Sequence, residues 1–166
     1  MHRLSSGDVS LDTSVILDFS ATDRLDLLLS VFTSRMLLSD FVEAELAPTG
    51  IKLSDVEVVR LDSDEQWGFF NDLRKTKPGL GAGELGALTV ARFRNAILLT
   101  NDKPARQMAE TVGVAYSGGI GVLECCCETG KLSGKEAVGL LDNMIAAGAR
   151  FSEDLVANFR RTVLNG

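Results

Sequence analysis

Apolar positions recur along this chain in two rhythms. Short apolar runs of strand length occur at Val9-Ser10-Leu11, Arg35-Met36-Leu37-Leu38, Val56-Glu57-Val58-Val59-Arg60-Leu61, Ala96-Ile97-Leu98-Leu99 and Val114-Ala115-Tyr116. Between them lie longer segments whose apolar residues return every three or four positions, as on one face of a helix. Helices are predicted over 14–19, 23–29, 40–46, the segment from 62 that carries Trp67, Phe69, Phe70 and Leu73, then 84–93, 103–112, 122–128, 135–147 and 153–164. The punctuation agrees: Thr22 or Asp23 is placed to cap the second helix, Pro48 to stop the third, and Ser133 and Ser152 to cap the last two. Residues 79–83 form a glycine-rich turn. Strands alternating with helices predict an α/β fold with a mainly parallel central sheet. No repeat, low-complexity tract or linker interrupts the pattern, so a single domain over 1–166 is expected, with about 119–166 as a helical C-terminal extension of it.

Composition narrows the chemistry. The chain is 45% hydrophobic and 24% charged, ordinary for a folded domain. Its longest apolar run is far shorter than the roughly 20 residues of a membrane span. The start of the chain lacks the apolar core of a signal peptide, and a cytoplasmic protein is expected. The only histidine is His2, which argues against histidine acid–base chemistry, Ser-His-Asp catalysis and histidine-ligated zinc. Cys125, Cys126 and Cys127 are consecutive. Helical neighbours point in different directions, so they read as small apolar residues and not as a chelate or disulfide framework. Net charge is −6, a poor match for nucleic-acid binding by bulk charge, but compatible with an acidic site neutralised by a cation.

In a parallel α/β sheet, ligands bind beyond the carboxyl ends of the strands. Asp12, Asp40, Asp62 and Asp102 all fall there. Asp12 and Asp102 end apolar strands, although each could equally cap the following helix. Glu84 opens an otherwise small and apolar helix, where an acid also suits the helix dipole. Glu45, with Glu43 nearby, lies in Asp40-Phe41-Val42-Glu43-Ala44-Glu45-Leu46 and could belong to a solvated face. Carboxylates gathered at a sheet edge repel unless protonated or neutralised by a cation, and oxygen donors suit Mg²⁺ or Mn²⁺. Such an ion activates water and polarises a phosphoryl group, so phosphodiester hydrolysis would need no histidine. Lys103 and Arg106 follow Asp102 and are candidates for positioning phosphates, with solvated helix ends as the alternative. Trp67, Phe69 and Phe70 read as core, with an interface as the alternative.

These residues resemble a known family. Leu11-Asp12-Thr13-Ser14-Val15-Ile16-Leu17 is similar to the opening motif of PIN domains, and Phe41-Val42-Glu43-Ala44-Glu45-Leu46 to their second. Gly81-Ala82-Gly83-Glu84-Leu85-Gly86-Ala87-Leu88 resembles the third, and Leu98-Leu99-Thr100-Asn101-Asp102 the fourth. The stretches 109–114 and 118–123, with Gly130-Lys131-Leu132-Ser133 and the helical tail, resemble a prokaryotic branch of PIN-like proteins. The resemblance implies a three-layer α/β/α fold and Mg²⁺- or Mn²⁺-dependent cleavage of RNA. It also implies a setting in which many relatives are toxins of toxin–antitoxin pairs, often dimeric and inhibited by a partner protein. Carried over by motif, Asp12, Glu45, Glu84 and Asp102 are the metal-site acids, and Thr13, Ser14 and Asn101 are supporting polar groups. The second motif departs from the pattern, with Asp40 where proline is common and Glu43 as a rival to Glu45.

Three other readings compete. Gly81-Ala82-Gly83-Glu84-Leu85-Gly86 satisfies the Gly-x-Gly-x-x-Gly pattern of a nucleotide-binding, Rossmann-like protein, but that motif needs a strand directly before it. A phosphatase with Asp12 as nucleophile would need an acid at position 14, where Ser14 stands. A PIN-fold module that binds a partner or RNA without cutting is the third, and four intact motif acids weigh against it.

Overall fold

The computed structural model describes residue 4 and residues 7–165. Five strands are formed: β1 (Val9–Leu11), β2 (Met36–Ser39), β3 (Val56–Val59), β4 (Ile97–Leu99) and β5 (Tyr116–Ser117). The helices are α1 (Thr13–Ala21), α2 (Leu25–Ser30), α3 (Asp40–Leu46), α4 (Asp64–Thr76), α5 (Ala82–Phe93), α6 (Lys103–Thr111), α7 (Gly119–Glu128), α8 (Gly134–Ala146) and α9 (Glu153–Asn165). A 3-10 turn, Ala47–Thr49, ends α3 at Pro48. Every strand pair is parallel, in the order β3-β2-β1-β4-β5. The chain therefore walks outward from β1 to β3, then crosses back to β4. Right-handed crossovers in opposite directions put helices on both faces of the sheet, giving the three-layer α/β/α arrangement. The reversal falls between β1 and β4, the switch point at which such sheets open a crevice.

Central β1 is buried along its whole length. Its one polar residue, Ser10, is reconciled with burial by donating to the Ala87 carbonyl of α5 at 2.7 Å. That bond requires α5 to lie close. A side chain at Gly86 would meet Ser39 Oγ at 2.4 Å and the Phe41 ring at 2.9 Å, so only glycine permits this approach. Phe19, Leu11, Ile16, Leu28, Leu98 and Leu123 fill the core, and Phe159 of α9 is fully buried with them. The extension thus packs as part of the same hydrophobic body. Among the described residues no helix is long and apolar enough to cross a membrane.

Several local expectations shift. Asp23 adopts a left-handed backbone (φ 56°) and Thr22 closes α1 by donating to the Phe19 carbonyl, so neither caps α2, which starts after Arg24 without a side-chain cap. Val114 is held back by its N–H bond to the Ala109 carbonyl, and β5 begins only at Tyr116. α1 reaches Ala21 and α7 starts at Gly119, both longer than their apolar cores suggest. Ser133 and Glu136 complete a reciprocal capping box on α8, and Ser152 accepts from the Leu155 N–H. Of the three aromatic residues of α4 only Phe70 is fully core, stacked on Phe41 at 4.9 Å, while Phe69 is half-buried and Trp67 is 41% exposed. The helix α4 runs directly into the turn before Gly81, with no strand, which removes the structural premise of the nucleotide-binding reading. Burial pushes the Cys125 and Cys126 thiols up to about 11 and about 12, so they stay protonated and inert.

Candidate active site

Asp12 sits at the carboxyl end of β1, where the β1–β4 pairing runs out with its own N–H on the Leu99 carbonyl at 2.9 Å. Its side chain is 1% exposed. Oδ1 accepts from the Thr13 N–H at 2.9 Å, which starts α1. Oδ2 accepts from Ser14 Oγ at 3.0 Å and Thr100 Oγ1 at 2.6 Å. Both hydroxyls are themselves oriented: Ser14 Oγ accepts from the Asn101 N–H (2.9 Å), and Thr100 Oγ1 from the Asp102 N–H (3.0 Å). Each is then free to turn its own proton to Asp12, and the two hydroxyls lie 3.3 Å from each other. Burial nevertheless holds the Asp12 carboxyl above the ordinary aspartate range, against the donors Thr100, Ser14 and Thr13, with repulsion from Asp102 adding to the rise.

Asp102 lies at the end of β4, the strand beside β1. One of its oxygens accepts from the Ala105 N–H at 3.0 Å and caps α6. Glu84 is in the first turn of α5. Its carboxyl is raised to about 7 by burial first, then by repulsion from Asp102, Asp12 and Glu45, eased by the Gly81 N–H. Glu45 accepts from Thr13 Oγ1 at 2.7 Å. Its carboxylate occupies the space over Gly83, where an added Cβ would lie 1.8 Å from Oε1. The first glycine-flanked turn of α5 is therefore a cradle for the α3 glutamate. Asp12, Glu45 and Asp102 come from three other segments of the chain and each lies near enough to Glu84 to raise its carboxyl.

The other sequence candidates divide. Thr13, Ser14 and Asn101 all lie within this network. Asn101 donates to Asp18 Oδ2 at 2.6 Å and accepts from the Gly119 N–H at 2.7 Å, tying α1 and α7 to the end of β4. Glu43 is on another side of α3, lining a cleft over β3 with Lys52 and Val58. Asp40 Oδ1 is buried without a hydrogen-bond partner among the described residues. Lys103 is exposed and Arg106 half-buried on α6. Sequence reasoning assigns Thr100 no role of its own and passes over Asp18, whose carboxyl burial raises. A signal for Asp18 existed: it lies one helical turn after Ser14, on the same face of α1.

A larger cleft of about 500 Å³ opens at the opposite, amino-terminal edge of the sheet. It holds one acid, Asp8, already paired with Arg35 at 3.5 Å, so it gathers no reactive group. The acidic edge is the stronger candidate. The donors there are all oxygen, and among the described residues none of the four acids forms an ion pair. A half-buried carboxyl raised first by burial and then by three like charges is one whose ionised form a hard divalent cation would favour, so the residues fit such an ion. Among the described residues no three acidic, histidine or cysteine side chains are already spaced to hold a metal. Asp12, Glu45 and Asp102 each engage a hydroxyl or backbone N–H instead.

A search of curated proteins finds no match. The family profile described as PIN domain matches residues 9–164, from β1 into α9. PIN domains are generally nucleases and typically use divalent metals. With the match covering almost the full length and the acidic edge built from its strand ends, the chain belongs to the PIN-domain family.

Proposed function

We propose that the protein is a Mg²⁺- or Mn²⁺-dependent endoribonuclease that hydrolyses RNA phosphodiester bonds at the edge formed by Asp12, Glu45, Glu84 and Asp102. The observation that carries this reading is the placing of the acids: Asp12 and Asp102 follow neighbouring parallel strands, and Glu45 lies over Gly83 in the helix turn that bears Glu84. When bound, the ion supplies an activated water and offsets charge on the phosphoryl and leaving oxygens. The four carboxylates would hold it. Ser14 and Thr100 fix the Asp12 carboxylate through hydroxyls pinned by the backbone of Asn101 and Asp102. Glu84 must lose its proton before it can donate, so metal loading weakens below about pH 7. Lys103 and Arg106, beside Asp102 on α6, position the phosphates of the strand.

On the same reading the setting is cytoplasmic, as the toxin of a toxin–antitoxin pair, with a protein inhibitor and a homodimeric assembly. The test is cleavage of single-stranded RNA by the full chain. Activity abolished by chelator, restored by Mn²⁺ and absent in Asp12→Asn supports the proposal. RNA that binds but stays intact with Mn²⁺ present would instead make this a silent binding module.

A further inference from the structure

At the carboxyl end of β4, α1 holds Asn101 twice. The Asn101 backbone N–H donates to Ser14 Oγ at 2.9 Å, and its side-chain nitrogen Nδ2 donates to Asp18 Oδ2 at 2.6 Å. Ser14 and Asp18 are one helical turn apart on α1, so both acceptors stand on one face of that helix. From the other side Gly119, the first residue of α7, donates its N–H to Asn101 Oδ1 at 2.7 Å. A backbone N–H can only donate, so the amide oxygen has to face α7 and the amide nitrogen Asp18. Little room is left around the amide. A Cβ at Gly118 would lie 2.7 Å from Oδ1, and one at Gly119 would lie 3.2 Å from Nδ2. The grip is one bond away from the acids: Ser14 Oγ also donates to Asp12 Oδ2 at 3.0 Å, and the residue after Asn101 is Asp102. Burial raises the half-buried Asp18 carboxyl above the ordinary aspartate range, against the Asn101 donor, so its ionised form opposes folding. A gain in stability does not explain why an acid stands there.

We propose that Asp18 is a positioning residue of the acidic edge: through Asn101 it holds the end of β4 against α1 and so sets where the Asp102 carboxylate stands relative to Asp12. The inference rests on the metal-dependent nuclease reading above and adds a residue to it. Carboxylates that share a cation need a fixed separation, and groups that orient metal ligands typically carry about 10- to 100-fold in metal affinity. With the Asp18 bond gone, the Ser14 hydroxyl alone ties Asn101 to α1, and Asp102 follows the freed strand end.

The test is Mn²⁺ binding to the full chain, read from the electron paramagnetic resonance of the free ion, in Asp18→Ala and Asp18→Asn. Alanine suits a helix and the position is only half-buried, so folding is retained. Asp18→Ala is expected to bind Mn²⁺ about ten-fold more weakly, with an unfolding midpoint close to that of the wild type. Asp18→Asn keeps an oxygen that accepts from the Asn101 amide and is expected to restore the affinity. In an Asn101→Ala background, Asp18→Ala should change nothing further, because the link it acts through is already cut. Unchanged Mn²⁺ affinity in folded Asp18→Ala overturns the proposal and leaves Asp18 a structural residue. An equal loss in Asp18→Asn overturns it too, since a charge acting at a distance would then be at work and not a hydrogen bond. A full ten-fold loss on top of Asn101→Ala has the same consequence. A wild type that binds no Mn²⁺ is a different failure: it discards the metal reading, and the positioning role falls with it.

Discussion

A methyl group placed on residue 83 probes the acidic edge without removing any acid. In Gly83→Ala the new Cβ would lie 1.8 Å from Glu45 Oε1, where at least 3.0 Å is needed, so the carboxylate retreats by more than an ångström. The retreat is cheap, because Glu45 is an exposed and flexible side chain. It forfeits the hydrogen bond from Thr13 Oγ1, which contributes about 0.5–1.5 kcal/mol. Against this, alanine in a helix is favoured over glycine by roughly 0.5–1 kcal/mol. The two effects nearly cancel, and the melting temperature should move by no more than about 4 °C. Activity behaves differently, since a 1 Å displacement at a reacting centre costs about 100-fold. Metal-supported RNA cleavage and Mn²⁺ titration should both drop sharply in a protein that unfolds like the wild type. Glu45→Ala should show the same loss, and the double variant no more than either alone. Wild-type Mn²⁺ affinity and cleavage in folded Gly83→Ala would remove Glu45 from the site. A destabilisation beyond about 2 kcal/mol would show that the carboxylate cannot swing aside.

Other outcomes follow from the same geometry. Mn²⁺ at about a hundred times its Kd should stabilise the wild type by about 2.7 kcal/mol in thermal unfolding, and Asp12→Asn by nothing measurable. Glu84 is raised from 4.5 to about 7, so its ionised form opposes folding; metal-free stability should rise as pH falls through 7 towards 4.5, and Glu84→Gln should lose that part of the slope. A flat difference between the two proteins across this window would show that Glu84 is not raised. Lys103→Ala combined with Arg106→Ala should lower the salt dependence of single-stranded RNA binding by about 1.4 in log–log slope, because two phosphates are no longer neutralised; an unchanged slope rules out phosphate positioning by this pair.

Legibility in the sequence tracks dependence on neighbours along the chain. Val9-Ser10-Leu11 and Ile97-Leu98-Leu99 announce strands and so mark the acids just past them, and each acid turns out to cap a helix as well as face the site. The helix stop at Pro48 and the caps at Ser133 and Ser152 are equally local. The choice between Glu43 and Glu45 is not legible. It depends on which side of α3 meets α5, and Gly83 gives no hint in the sequence that it is a cradle for a distant carboxylate. Thr100 is hidden for the same reason, because its role lies in a bond to Asp12 across the sheet. The start of β5 is misplaced because a short apolar run does not say which residue the preceding helix turn retains, and Val114 is retained.

The pairing of β1 with β4 also sets an order of events. Thr100 and Asp12 are 88 residues apart in the chain, yet they share a hydrogen bond at the heart of the acidic edge. Strands β1, β2 and β3 can associate as soon as they leave the ribosome, but this loop closes only after α4, α5 and β4 have been made. Until then Asp12 has neither the Thr100 hydroxyl nor the Asp102 carboxylate beside it. A chain interrupted anywhere before β4 lacks that edge, so whatever chemistry its acids carry can begin only once synthesis has passed β4.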